Sequence, residues 1–265
     1  MKLEVKNAKF FYKNDEILFK DLSFSLDSGE ILAIMGPNGV GKTSLIRAIC
    51  GFEKFKEGGA FLDGKNIGTF EKKGFWDKIS YIPQKREATF AYTGLDMVVF
   101  GLASKIGPFG NPNEKDYKDA KKLMDDLGIG NLHNKLCSKI SGGELQMLII
   151  ARALIKNPSL LILDEAESGL DFKNQLKIIN LLKDLAKKRG ITIVFNTHYP
   201  NYALKIADKV LILREKGDYF YGSRDIINEE NIKKAFGVDA LIRNIDTDQG
   251  KEKILIPYRL SENIN

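Results

Sequence analysis

The run Gly36-Pro37-Asn38-Gly39-Val40-Gly41-Lys42-Thr43-Ser44 fits the pattern G-x-x-x-x-G-K-[ST]. A loop of this kind wraps phosphates in backbone N–H groups, extends its lysine to the β- and γ-phosphates and offers its threonine hydroxyl to Mg²⁺. It follows a buried-strand run, "EILAIMG", and opens a helix, which is where such a loop must lie. A second set of groups ends the apolar run Leu160–Glu165, "LLILDE". Paired carboxylates at the C-terminal edge of a strand are costly to desolvate unless a metal or a reaction uses them. Asp164 is suited to hold Mg²⁺ through water, and Glu165 to polarise an attacking water. Three further residues are ambiguous alone. Gln84, closing "YIPQ", is either a surface amide or a group touching Mg²⁺ and the lytic water. His198, after "VFNT", is either a loop histidine or a catalytic one. Tyr12, in "FFYKN", is either a core aromatic or a stacking partner for a base.

The stretch "KISGGELQML" poses a different question. Ser141 and Glu144 form a capping box at a helix start, yet Gly142 and Gly143 occupy the first turn, where other residues would favour the helix more. Glycines there bare the backbone N–H groups, and a helix start carrying partial positive charge attracts anions.

These groups need a frame of strands and helices to hold them. Residues 1 to about 30 alternate as short strands with a turn at Asp27-Ser28-Gly29, and residues 52 to 82 read as strand and turn. Leu45, Ile46 and Ile49 give the helix after the phosphate loop one apolar face. From about 92 to 156 the pattern is helical, with Leu145, Leu148, Ile149 and Arg152 placed on one face of the last helix. Beyond it come "LLILD", a helix near 172 to 188, "ITIVFNTH", a helix and "KVLILRE", the alternation of a parallel α/β sheet. The tail from 224 predicts one amphipathic helix, carrying Ile226, Ile227, Ile232 and Phe236, and a strand "KILIPY".

Composition narrows the classes. The chain of 265 residues is 43% hydrophobic and 29% charged, and its 41 basic against 35 acidic residues are interspersed, which argues against nucleic-acid binding. Cys50 and Cys137 suit buried thiols better than a disulfide framework, and two histidines exclude a multi-histidine metal site. No run approaches the roughly 18 apolar residues of a membrane span, and "MKLEVKNAKF" alternates like a strand rather than a signal peptide. The expectation is a cytoplasmic or membrane-peripheral protein.

Taken together, "GPNGVGKTS", "YIPQ", "SGGE", "LLILDE", "SGLD" (Ser168 to Asp171) and "NTH" occur in an order and at spacings that resemble the ABC-transporter ATPase family, over about residues 1 to 240. The resemblance implies an α/β fold: a P-loop NTPase core with an N-terminal antiparallel β subdomain and an inserted α-helical subdomain over about 86–156. It implies an ATPase domain over 1–223 and a tail, 224–265, packing on it. It implies ATP and Mg²⁺ as ligands. Tyr12 resembles the adenine-stacking aromatic. Gly36 to Ser44 (Gly36, Pro37, Asn38, Gly39, Val40, Gly41, Lys42, Thr43, Ser44) resembles the phosphate cradle, with Lys42 also catalytic. Ser141, Gly142, Gly143 and Glu144 resemble the family signature, Asp171 the acid of the loop after the carboxylate strand, and His198 the switch histidine. Glu165 and Gln84 join the catalytic groups; Thr43, Gln84 and Asp164 are the implied metal ligands. Two departures stand out. Ile140 replaces the usual leucine before the signature serine, and Ala166-Glu167 replaces the usual Pro-Thr or Pro-Ser, leaving that loop less constrained and adding a third acid.

Within the family, residues 88–112 and 197–204 resemble importers of metal chelates and oxyanions such as iron-siderophores, haem, cobalamin and molybdate. The implied partners are a second ATPase chain in a homodimer, integral-membrane permease subunits and, indirectly, an extracytoplasmic substrate-binding protein, with the ATPase peripheral on the cytoplasmic face of the plasma membrane. The alternatives are an exporter subunit and a non-transport ABC ATPase; the long coiled-coil insertion or second cassette expected of repair and translation ATPases is not present.

Overall fold

The computed structural model describes residues 1–12, 17–84, 92–107, 110–248 and 250–261. In chain order the elements are β1 (Leu3–Phe11), β2 (Ile17–Leu26), β3 (Ile31–Met35), α1 (Lys42–Ile49), β4 (Glu57–Leu62), β5 (Lys65–Asn66), α2 (Lys72–Lys78) and β6 (Ile79–Ile82). They continue as α3 (Gly94–Val99), α4 (Ala103–Ile106), α5 (Glu114–Asp126), α6 (Gly142–Leu154), β7 (Leu160–Asp164), α7 (Phe172–Arg189), β8 (Thr192–Asn196) and α8 (Pro200–Ile206). The last are β9 (Lys209–Leu213), β10 (Tyr219–Gly222), α9 (Glu229–Phe236), β11 (Val238–Thr247) and β12 (Gly250–Leu260). The chain divides into two compact units, Met1–Thr69 with Leu182–Asn265, and Phe70–Leu181.

In the first unit, β1 pairs antiparallel with β2 and β4, and its alternation leaves one face buried and the other in part exposed. β3 runs parallel to both β8 and β9, and β10 turns back antiparallel on β9. Every residue of β3 and β8 is buried, which is why β3 and the Ile193–Phe195 centre of β8 read as apolar runs. α1 buries Leu45, Ile46 and Ile49, as their spacing requires.

The second unit pairs β6 parallel with β7, Ile79 to Ile82 beside Leu160 to Leu163. Its helices α3, α5 and α6 all begin with a complete capping box, from Thr93 and Asp96, Asn113 and Asp116, and Ser141 and Glu144. Gly101 lies so close to α6 that a Cβ there would meet the Arg152 carbonyl oxygen at 2.0 Å. The fold is thus α/β, with parallel strands, an antiparallel β subdomain and an α-helical segment between β6 and β7.

Three details differ from the sequence reading. Residues 72–78 form α2 where strand and turn were expected; it is seven residues long and too short to show a helical period. α6 buries Met147, Leu148, Ile150, Ala151 and Leu154, while Leu145, Ile149 and Arg152 are half-buried, so the expected face is rotated. The tail holds a hairpin rather than one strand: "VDALIRNIDT" is β11, whose outer half is exposed and so lost the alternation that marks a strand.

One rung of that hairpin is engaged by side chains on both outer edges. The Leu255 N–H donates to Asn201 Oδ1 at 2.7 Å and its carbonyl accepts from Asn201 Nδ2 at 3.2 Å. Opposite Leu255 in the ladder is Ile242, whose N–H donates to Glu229 Oε1 at 3.0 Å. At its base, Asp239 accepts from Arg259 Nε at 2.6 Å and from Ser261 Oγ at 2.9 Å, with Lys233 Nζ at 3.0 Å. The hydrogen bond from Arg259, then those from Lys233 and Ser261, lower the Asp239 pKa from 3.8 to about 2.

A carboxyl depressed on folding stabilises the fold fully above its unfolded value and loses that contribution as pH falls through the folded one. The hairpin should therefore loosen between about pH 4 and pH 2. Amide hydrogen exchange over 238–260 checks this: in Asp239→Asn the step in that window should vanish, and an unchanged step would show that Asp239 does not anchor the hairpin.

Candidate functional site

The first unit carries the phosphate loop. β3 ends at Met35, and Gly36, Gly39 and Gly41 follow with φ of 144°, 81° and 105°. A Cβ on Gly36 would lie 2.5 Å from the Leu213 carbonyl oxygen, and one on Gly41 would lie 3.0 Å from Leu18 Cβ, so neither position tolerates a side chain. The turn delivers the start of α1 with no side-chain cap at Gly41 and no acid in its first turn, so the positive end of the helix suits an anion. Lys42 is buried, and its ammonium donates to the Gly36 and Pro37 carbonyls, both at 2.8 Å. Its charge is thus held inside the loop in contact with two backbone carbonyls, where phosphate oxygens would make stronger partners.

Tyr12 is half exposed, packs edge-on against Phe10 at 5.1 Å, and shares a hydrogen bond with Ser44 Oγ at 3.1 Å. The ring therefore stands beside the residue that closes the loop. His198 is set by register: Ile34 of β3 faces Asn196 of β8, and the Thr197 N–H donates to the Ile34 carbonyl at 3.2 Å. His198 is exposed, two residues beyond Asn196, as Gly36 is two beyond Ile34.

The second unit applies the same logic to the carboxylates. Ile82 faces Leu163 across the β6–β7 pair, so Gln84 and Glu165 emerge at the same level. Gln84 Nε2 donates to Glu165 Oε2 at 2.5 Å. Asp164 and Glu165 are both buried, and Glu165 has a φ of 52°, a left-handed conformation that costs a non-glycine residue about 1–3 kcal/mol. Ala166 and Glu167 are buried as well, and the loop after them is braced: Gln175 Nε2 donates to the Leu170 carbonyl at 3.0 Å and the Glu167 carbonyl at 3.4 Å. Two hydrogen bonds from Gln175 thus tie down the loop in which Ala166-Glu167 stands for the usual proline pair.

At the start of α6, Glu144 Oε2 accepts from the Ser141 N–H at 3.0 Å and from its hydroxyl at 2.8 Å, while Ser141 Oγ accepts from the Glu144 N–H at 3.3 Å. Lys135 Nζ adds a contact to the same carboxylate at 3.3 Å. The bonds from Ser141, then Lys135, keep the Glu144 carboxyl below its usual pKa. Ser141 and Gly142 remain exposed and Gly143 is buried. Asp171 is exposed, and its carboxylate accepts from the Asn174 N–H at 2.8 Å and Asn174 Nδ2 at 2.9 Å. Lys135, Asn174 and Gln175 were passed over in the sequence; for Asn174 the signal was present, since Asp-x-x-Asn at a helix start is a capping spacing.

Comparison with known proteins agrees with this geometry. Residues 19–168 match the family model described as ABC transporter. The molybdate import ATP-binding protein MolC of Haemophilus influenzae is 35% identical over 88% of this chain and 87% of its own. A solved structure described as an inward-facing metal-chelate type ABC transporter superposes with a TM-score of 0.86 at 31% identity, covering 97% of both chains. A dimeric post-hydrolysis structure of the ATP-binding cassette MJ0796, bound to ADP and Pi, gives 0.72 at 28% identity over 84% of this chain and 98% of that one. This chain belongs to the ABC transporter family, and within it to the ATP-binding, ATP-hydrolysing subunits.

Replacing Lys42 tests the phosphate loop. Charge-assisted bonds are worth about 1.5–3 kcal/mol each, so Lys42→Ala should weaken ATP binding by at least about tenfold. Titration with a fluorescent ATP analogue measures this, and near-wild-type affinity would remove Lys42 from the phosphate site.

Proposed function

We propose that this ATPase powers uptake of a metal chelate or an oxyanion through integral-membrane permease subunits, fed by an extracytoplasmic binding protein. In this reading it works as a head-to-tail homodimer on the cytoplasmic face of the plasma membrane. The cargo class follows the relatives, one named for molybdate import and one for a metal-chelate type transporter. Among the described residues no helix is long and apolar enough to cross a membrane.

One observation carries the dimeric reading: the chain presents two phosphate-type helix starts of different character. The start of α1 has its own buried cation, Lys42. The start of α6 exposes Ser141 and Gly142, and its motif contains no cation. The second is complementary to a phosphate already held by another loop, that of the partner chain. That the related cassette MJ0796 is described as dimeric, with ADP and Pi bound, supports a dimer here.

The roles follow from the groups. The Gly36–Ser44 loop binds the triphosphate, Lys42 neutralises its β- and γ-oxygens, and Tyr12 receives the base. Glu165 takes the proton of the attacking water, and His198 donates a hydrogen bond toward the γ-phosphate. The donor set of the Thr43 hydroxyl, the Gln84 amide oxygen and the Asp164 carboxylate is all oxygen, which fits Mg²⁺. Bound there, Mg²⁺ supplies charge neutralisation at the β- and γ-phosphates. Ser141, Gly142, Gly143 and Glu144, with Asp171, complete the partner's site. The segment expected to pass the motion from Gln84 to the permease lies in part outside the described residues.

Two experiments test this. Glu165→Gln should keep ATP affinity while slowing hydrolysis about 10²–10⁴-fold, and hydrolysis at the parent rate would shift suspicion to the neighbouring Glu167. Ser141→Arg should abolish turnover while leaving ATP binding by the isolated chain intact. Mixed with Lys42→Ala chains it should regain a fraction of normal turnover, because some heterodimers hold one complete site. Loss of ATP binding by the Ser141→Arg chain alone would place the signature beside its own phosphate loop.

A further inference from the structure

The geometry points to Asn174 as a positioning residue for the ATP site: a strut that sets the start of α6 against the Ser168–Asp171 loop. This rests on the shared-site reading above, in which both segments face the partner's nucleotide.

Asn174 makes two contacts with Asp171 that do different things. Its backbone N–H, donating at 2.8 Å, completes an ordinary cap at the start of α7. Its side-chain amide, donating at 2.9 Å, is not needed for that cap. The amide lies directly against Gly143. A Cβ built on Gly143 would stand 2.3 Å from Asn174 Nδ2 and 2.4 Å from its Cγ. A side-chain end in such a place would ordinarily swing aside, but here Asp171 holds it. Gln175, the next residue, pins the Leu170 and Glu167 carbonyls of the same loop. The first turn of α7 therefore fixes the loop from behind with Gln175, and with Asn174 it bears on the glycine through which α6 begins. Gly143 is required because the strut fills the space its side chain would take. If the partner's γ-phosphate is read by the signature and the loop together, their relative placement sets the rate, and a displacement of about 1 Å costs up to about 10²-fold.

Asn174→Ala separates strut from cap, since the backbone bond survives and the amide does not. Its unfolding temperature and the ATP affinity of the isolated chain should match wild type, while kcat falls about tenfold to 10²-fold. Gly143→Ala should lose at least as much turnover, because the new methyl drives the amide off Asp171. In the double variant, Gly143→Ala with Asn174→Ala, the methyl occupies the vacated space, and kcat should recover at least about fivefold over Gly143→Ala alone. A double variant no better than Gly143→Ala, wild-type kcat in Asn174→Ala, or an unfolding temperature lowered enough to account for its lost activity would each overturn the proposal. Hydrogen exchange without nucleotide, over 139–147 and 167–176, keeps this distinct from the shared-site reading. Exchange should quicken in both segments in Asn174→Ala even if Ser141→Arg proves fully active; unchanged exchange would refute the strut whatever the fate of that reading.

Discussion

The structure depends first on how closely the phosphate loop lies against the end of β9. With a Cβ on Gly36 only 2.5 Å from the Leu213 carbonyl oxygen, the backbone there has space for glycine alone. This contact fixes the point where the chain leaves β3, and so the direction from which α1 enters. Because β9 and β8 both pair with β3, the same sheet that sets the loop also sets His198. The buried apolar strands serve less as a site than as a ruler: parallel register puts chemically active residues at one level.

The same ruler operates in the second unit, where it goes a step further. β6 and β7 bring Gln84 and Glu165 into direct contact although 81 positions separate them. The amide of Gln84 engages one oxygen of Glu165, while the left-handed backbone at Glu165 holds its carboxyl at the strand end. Lys42 is engaged in a similar way by the loop's own carbonyls. Each charged group thereby has a protein partner that limits the desolvation cost of its burial.

What the sequence revealed and what it concealed divide along the same lines. Gly36 to Ser44 and Asp164-Glu165 were legible because their chemistry is contiguous and sits at the ends of fully buried strands. The capping boxes at Thr93, Asn113 and Ser141 depend only on local spacing; that of Ser141 was read directly. The seven residues of α2 were too few to establish a period, and β11 lost its alternation because half of it lies in water. The buried face of α6 was misjudged because its apolar residues run nearly all round and only neighbouring elements decide which are covered. The capping spacing of Asn174 to Asp171 was legible, but its approach to Gly143 in α6 and the contact of Lys135 with Glu144 are set by the fold.

The rung of the C-terminal hairpin that is engaged on both edges has a consequence for life in a crowded assembly. A two-stranded ribbon normally offers an unpaired ladder on each side, and any passing extended segment can add to it. Here Asn201 satisfies both backbone groups of Leu255, and Glu229 engages the N–H of Ile242 directly across the ribbon. At that rung an added strand would first have to displace a side chain on either edge, so the ribbon is guarded where Ile256 stands exposed beside Leu255.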